Sequence, residues 1–144
     1  MVEPDTIKLL KECNAGIKMG VDAIEDVLPE VKDANFCALL TDSKKEHEKL
    51  GDDTHELLNN YGDKGKDPHP MAKAMSKMKT NVKMTMDNSD KMAASLITDG
   101  CNMGIKSLNK YLNQYKAANE KAKDITKRLI NIEERLCEDL KPYL

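Results

Sequence analysis

The chain has 144 residues, 33% of them charged, yet lysine and arginine nearly balance aspartate and glutamate to leave a net charge of −2. That balance, with no long block of one sign, argues against nucleic acid as a partner. No stretch approaches the roughly 18 apolar residues that a bilayer crossing needs, so we expect a soluble, cytoplasmic protein with no transmembrane segment.

Composition points to an all-α class, because nine Met, no Trp and one Phe accompany abundant Lys, Glu, Leu and Ala, which favour helices over strands. The length suits a single domain over 1–144, able to bury roughly two thirds of the surface its unfolded chain exposes. In the first segment Ile7, Leu10, Asn14, Ile17, Val21, Ile24 and Leu28 recur at alternating spacings of three and four, one stripe of a helix with Asn14 its polar member. Asp5 or Thr6 is the expected cap at its start, and Pro29 redirects the chain. A second helix over about 34–61 carries Phe36, Leu40, Ser43, His47, Leu50, Thr54, Leu57 and Tyr61 on its stripe, which turns His47 inward.

Gly62 through Pro70 reads as a loop from its Gly, Pro and Asp content, and a shorter helix over 71–86 follows. Asp87-Asn88-Ser89-Asp90 supplies a break with fresh capping residues. The third long helix carries Leu96, Ile97, Cys101, Ile105, Leu108, Leu112 and Tyr115, and the fourth carries Ile125, Leu129, Ile132, Leu136, Leu140 and Tyr143. The pattern predicts an antiparallel four-helix bundle built from hairpins over about 5–61 and 89–143, joined by a connector over 62–88 that contains the fifth, short helix.

The pattern Cys-Asn-x-Gly-Ile-Lys occurs twice, at Cys13–Lys18 and at Cys101–Lys106, the mark of a duplicated hairpin. Glycine inside a helix costs about 1 kcal/mol relative to alanine, so Gly16, Gly20 and Gly104 imply close helix contact. Folding each hairpin about its turn, and equating Asn102 with Asn14 through the repeat, predicts a polar core layer of Asn14, His47, Asn102 and Glu134. The second hairpin sets Asn102 level with Glu133, Glu134 and Arg135, and Arg135 joins the layer with Glu134 or in its place. Such a layer penalises misaligned helices, since it would otherwise face Leu or Ile. The four cysteines have no CxxC pairing, so free thiols are expected.

The duplicated hairpin, the loop after the second helix and His47 within Lys44-Lys45-Glu46-His47-Glu48 resemble the ferritin-like superfamily, including rubrerythrins. The likeness is closest to bacterial ferritin-like proteins of unknown function with a short helix between the hairpins. The resemblance implies a di-iron site with one Glu from the first and third helices and Glu-x-x-His from the second and fourth. Of that set only His47 is matched. Lys44 stands at the Glu place, Asn14 or Gly16 and Ile17 at the first-helix place, Asn102 or Gly104 and Ile105 at the third-helix place, and Ile132 and Arg135 on the fourth helix.

The expected function is therefore non-enzymatic: a structural or interaction module acting through its surface, as a homo-oligomer or with a protein partner, and with no cofactor. The alternative is a divergent transition-metal or redox protein that uses His47 with Cys13 and Cys101, with Cys137 as a further thiol, since thiolates and imidazole suit zinc and similar metals, or a bundle that retains a weak metal site. A third reading gives Met71, Met75, Met78, Met84, Met86 and Met92 a Cu(I) site or an adaptable apolar surface, against the ordinary role of filling irregular space.

Overall fold

The structure is a computed structural model; it describes residues 2–63 and 70–144, with the side chains of 70–76 and 78 outside the description. The described residues form α1 Pro4–Val27, α2 Ala34–Asn60, α3 Pro70–Met86, α4 Asp90–Gln114 and α5 Glu120–Leu140, with single 3-10 turns at Leu28–Glu30 and Lys141–Tyr143. They contain no strand. The loop expected over Gly62–Pro70 falls largely on 64–69, outside the described residues.

Local chemistry sets the helix ends. Pro4 lies in the first turn of α1, where its missing N–H would have had no helical acceptor. The Asp33 carboxylate accepts from Phe36 N–H at 2.9 Å, Ser89 Oγ from Met92 N–H at 3.1 Å and Asn119 Oδ1 from Ala122 N–H at 2.9 Å, which caps α2, α4 and α5. Gly62 follows α2 at φ 76°, a left-handed conformation that glycine adopts without strain. Asp5 and Thr6, expected as caps for α1, do different work. Asp5 Oδ2 accepts from Ala117 N–H at 3.1 Å and Thr6 Oγ1 from Asn119 N–H at 2.8 Å, so both tie the start of α1 to the turn before α5.

Two further ties fix the neighbours. Tyr61 Oη accepts from the Asn119 amide at 3.0 Å, joining the end of α2 to the start of α5. The Asp90 carboxylate accepts from the N–H groups of Lys32 and Asp33 at 2.8 and 2.9 Å, joining the start of α4 to the start of α2; those bonds hold the Asp90 carboxyl below its ordinary pKa.

α1 packs against all four other helices, α5 against α1, α2 and α4, and α3 against α1 and α4. The interior divides into two apolar clusters. One gathers Leu9, Leu10, Cys13 and Ile17 with Leu50, Leu58, Leu108, Ile125, Leu129 and Ile132. The other gathers Ile24, Val27, Phe36, Leu40, Ala93, Ala94, Ile97, Cys101, Leu136 and Leu140. Burial of these side chains supplies the main driving force, about 1.5–3 kcal/mol for each large one. Between the clusters every long helix passes through one level: Gly20 on α1, Ser43 and His47 on α2, Gly104 on α4 and Glu133 on α5. Among the described residues no helix is long and apolar enough to cross a membrane.

Candidate functional site

At this level between the two clusters sits a buried histidine–carboxylate pair. His47 is 1% exposed and Glu133 7%, and Nε2 of the imidazole lies 3.0 Å from Glu133 Oε1. On the other side of the ring, Nδ1 is 2.8 Å from the carbonyl oxygen of Ser43, one turn earlier in α2. A carbonyl only accepts, so Nδ1 carries a proton. The remaining proton of the pair lies between Nε2 and Oε1, and we describe the state as imidazolium against carboxylate. Burial opposes a charged ring, but the hydrogen bond to Glu133, its negative charge, the Ser43 carbonyl and the charge of Glu46 outweigh it and raise the His47 pKa above its ordinary 6.5.

The pair fits because α1 presents a glycine to it. A Cβ on Gly20 would lie 3.0 Å from both Cδ2 and Nε2 of His47 and 3.6 Å from Glu133 Oε1. A Cβ on Gly104 would meet the Glu133 carboxyl carbon at 3.7 Å, an ordinary contact. The close approach expected of all three glycines is thus required at Gly20 alone, since a Cβ on Gly16 would meet only Leu129 Cδ2 at 3.8 Å.

Next to the carboxylate lies a pair of thiols. Cys137 packs against the cluster that contains Cys101, Cys137 Sγ donates to Asn102 Oδ1 at 3.6 Å, and Glu133 acts on both thiols. Burial, then the charge of Glu133, push the Cys101 thiol far up. Burial also raises Cys137, with Glu133 and Glu134 adding to the rise and the Cys101 contact and Lys141 opposing it. Hydrogen bonds thus run from the Ser43 carbonyl through His47 to Glu133, and a separate one joins Cys137 to the exposed Asn102.

The expected site residues divide as follows. Asn14 and His47 are buried, each at 1% exposure, but Asn14 lies beside Cys13 and Ile17 of the first cluster, about 9 Å of helix rise from Gly20. Asn102 and Glu134 are exposed, so neither joins the layer. Its acidic member is Glu133, one residue earlier in α5, and Arg135 instead pairs at the surface with Glu46 at 2.6 Å. Glu133 was legible in principle: it continues the three-and-four spacing through Leu129, Leu136 and Leu140, which are all buried. Its charge and its charged neighbours hid it.

His47, Cys13 and Cys101, the candidate metal ligands, do not come together. Cys13 belongs to the first cluster and Cys101 to the second. Cys13 Sγ lies 3.1 Å from Thr126 Oγ1, whose hydroxyl also reaches Ala122 O at 2.8 Å. Burial first, with a smaller push from Glu12 and a smaller pull from the Thr126 bond, raises Cys13 to about 11. Among the described residues no three His, Cys, Asp or Glu side chains are grouped as a metal ion needs.

A di-iron centre does not fit these residues either. Lys44, at the Glu place of the Glu-x-x-His pattern, pairs with Glu25 at 3.1 Å; on α5 neither the expected places, Ile132 and Arg135, nor Glu133 with Leu136 three residues on, supply Glu-x-x-His; and the single buried carboxylate among the described residues cannot bridge and cap two irons. Of the methionines, Met84 is buried in the second cluster at 7% exposure and Met86 is 84% exposed. The side chains of Met71, Met75 and Met78 lie outside the described residues.

Searches against protein-family models, curated proteins and solved structures return no match to this chain.

Proposed function

We propose that the chain is an antiparallel four-helix bundle of ferritin-like architecture, with α3 as connector between two hairpins, that works without catalysis as a structural or interaction module and as a homo-oligomer. The ties of α1 to α5, α2 to α5 and α2 to α4 support the architecture. One observation carries the functional reading: both ring nitrogens of His47 are already engaged, Nδ1 by Ser43 O at 2.8 Å and Nε2 by Glu133 Oε1 at 3.0 Å. A side chain with both nitrogens committed inside an apolar shell offers no open position to a metal or substrate.

The pair acts instead as a register lock. Sliding either helix by one turn would bury Glu133 or His47 against Leu or Ile, and an uncompensated buried charge costs about 3–5 kcal/mol. The working part is then the exterior, whose charges are arranged in pairs such as Arg128 with Asp53 at 3.1 Å and Lys11 with Asp63 at 3.1 Å.

Two measurements test the proposal. Light scattering after size exclusion is expected to show a multimer, and a monomer at high concentration refutes the oligomeric part. Elemental analysis of protein purified without chelators is expected to show far less than one transition-metal ion per chain; a stoichiometric ion refutes the non-metal reading.

A further inference from the structure

The register lock leaves the thiol pair beside it without a task. Cys101 and Cys137 come from the two helices α4 and α5 that pack directly on each other, and they differ in access: Cys101 is 3% exposed in the second cluster, and Cys137 is half-buried at its edge. Cys137 also donates to the side chain of Asn102, the residue that follows Cys101. Both thiols are free. An outer thiol that a dissolved reagent can reach, packed against the cluster that holds an inner thiol it cannot reach, is the arrangement needed for attack followed by resolution.

We propose that Cys101 and Cys137 are a reversible dithiol–disulfide site, with a small soluble disulfide as the co-reactant. Cys137 gives up its proton and its thiolate attacks one sulfur of the reagent; the reagent's S–S bond breaks, a new bond joins Cys137 to that sulfur, and the first reagent thiol leaves with a proton. Cys101 then loses its proton, attacks the Cys137 sulfur and expels the second reagent thiol. Two protein thiols are oxidised to one disulfide and one reagent disulfide is reduced to two thiols. Oxidation replaces a thiol contact between α4 and α5 with a covalent bond and removes the Cys137 donor from Asn102.

The charged and titratable groups facing the pair are Glu133, which acts on both thiols, and Glu134 and Lys141, which act on Cys137. Burial first, and the two carboxylates after it, disfavour thiolates, so the site is slow at neutral pH and quickens in alkali. That behaviour suits a latent site that answers sustained oxidation more than a rapid exchanger.

The test uses the native full chain incubated with oxidised glutathione, then alkylated and mapped by mass spectrometry. The expected product is a cross-linked peptide containing Cys101 and Cys137, lost on treatment with dithiothreitol. In Cys101→Ser, which removes the resolving thiol, Cys137 is expected to hold glutathione as a mixed disulfide. In Cys137→Ser, Cys101 is expected to stay unmodified while helicity by circular dichroism is retained. Glutathione adducts on both cysteines of the wild type without the cross-linked peptide overturn the proposal, and so does a cross-link that joins two chains in place of one.

Discussion

Gly16 and Gly20 lie one turn apart on α1 and give opposite expectations for the same substitution. Replacing a helical glycine by alanine gains about 1 kcal/mol of intrinsic helix propensity. At Gly16 the new methyl would sit 3.8 Å from Leu129 Cδ2, ordinary contact with a flexible chain end, so Gly16→Ala is expected to stabilise the protein by about 0.5–1 kcal/mol. At Gly20 the methyl would meet two ring atoms of His47 at 3.0 Å.

That ring cannot retreat freely, because it is held at 2.8 Å to Ser43 O and 3.0 Å to Glu133 Oε1. Moving it by a few tenths of an ångström stretches both bonds, one of them charge-assisted and worth about 1.5–3 kcal/mol, and overpacking a filled interior costs about 1–3 kcal/mol by itself. Gly20→Ala is therefore expected to destabilise by about 1 kcal/mol after the propensity gain, about 2 kcal/mol from Gly16→Ala. With a urea slope of about 2 kcal/mol per M, the two unfolding midpoints separate by about 1 M. A Gly20→Ala midpoint at or above that of Gly16→Ala would refute the claim that this glycine exists to seat the imidazole.

His47→Leu leaves Glu133 buried without its cation and is expected to cost about 3 kcal/mol, while His47→Leu with Glu133→Met removes both polar groups and recovers most of that loss; equal denaturation midpoints for the single and double variants would contradict a paired interior. The raised His47 pKa fixes a pH trend: its contribution is fully present below the unfolded value of 6.5 and is lost as pH rises through the higher folded value. The stability difference between wild type and His47→Gln should therefore shrink above pH 6.5, and a difference that grows with pH disproves the assignment. With iodoacetamide on native protein, Cys37 and Cys137, which are half-buried, are expected to react before Cys13 and Cys101, which are buried, and Glu133→Gln should quicken Cys137 about tenfold by removing a like charge. Alkylation of Cys13 at the rate of Cys37 would show that its burial and its Thr126 bond fail to protect it.

Helical periodicity made the all-α class and the five helices legible. On α2 the expected stripe is buried from Phe36 through Leu40, Ser43, His47 and Leu50 to Thr54, because that stretch shows the interior one face; beyond it Leu58 is buried, while the expected Leu57 and Tyr61 are half-buried. On α5 the same reading followed Ile125, Leu129, Ile132, Leu136 and Leu140 correctly yet missed Glu133 among them, since hydropathy alone places a carboxylate outside. Only the partner on α2 makes its burial tolerable, and a partner far along the chain leaves no mark on the local pattern.

The repeat misled for a geometric reason. Along α1 the chain passes from the first cluster, at Leu9 to Ile17, into the second, at Ile24 and Val27; along α4 it passes from the second, at Ala93 to Cys101, into the first, at Leu108. Two copies that traverse the interior in opposite order place equivalent residues at opposite ends. Cys13 and Cys101 therefore stay buried in both copies but lie on opposite sides of the His47–Glu133 layer, and no shared site can form between them. The offset also differs, because the layer meets α1 at Gly20, one turn after the repeated glycine Gly16, but meets α4 at the repeated glycine itself, Gly104. α1, packed by four helices, buries Cys13, Asn14 and Ala15 in succession, whereas α4 buries Cys101 and exposes Asn102 and Met103. The duplicated motif thus preserves a fold element and not a chemical site, and the chemistry arises where the copies differ: Glu133 and Cys137 on α5 meet Cys101 on α4 and His47 on α2, a convergence that neither copy contains alone.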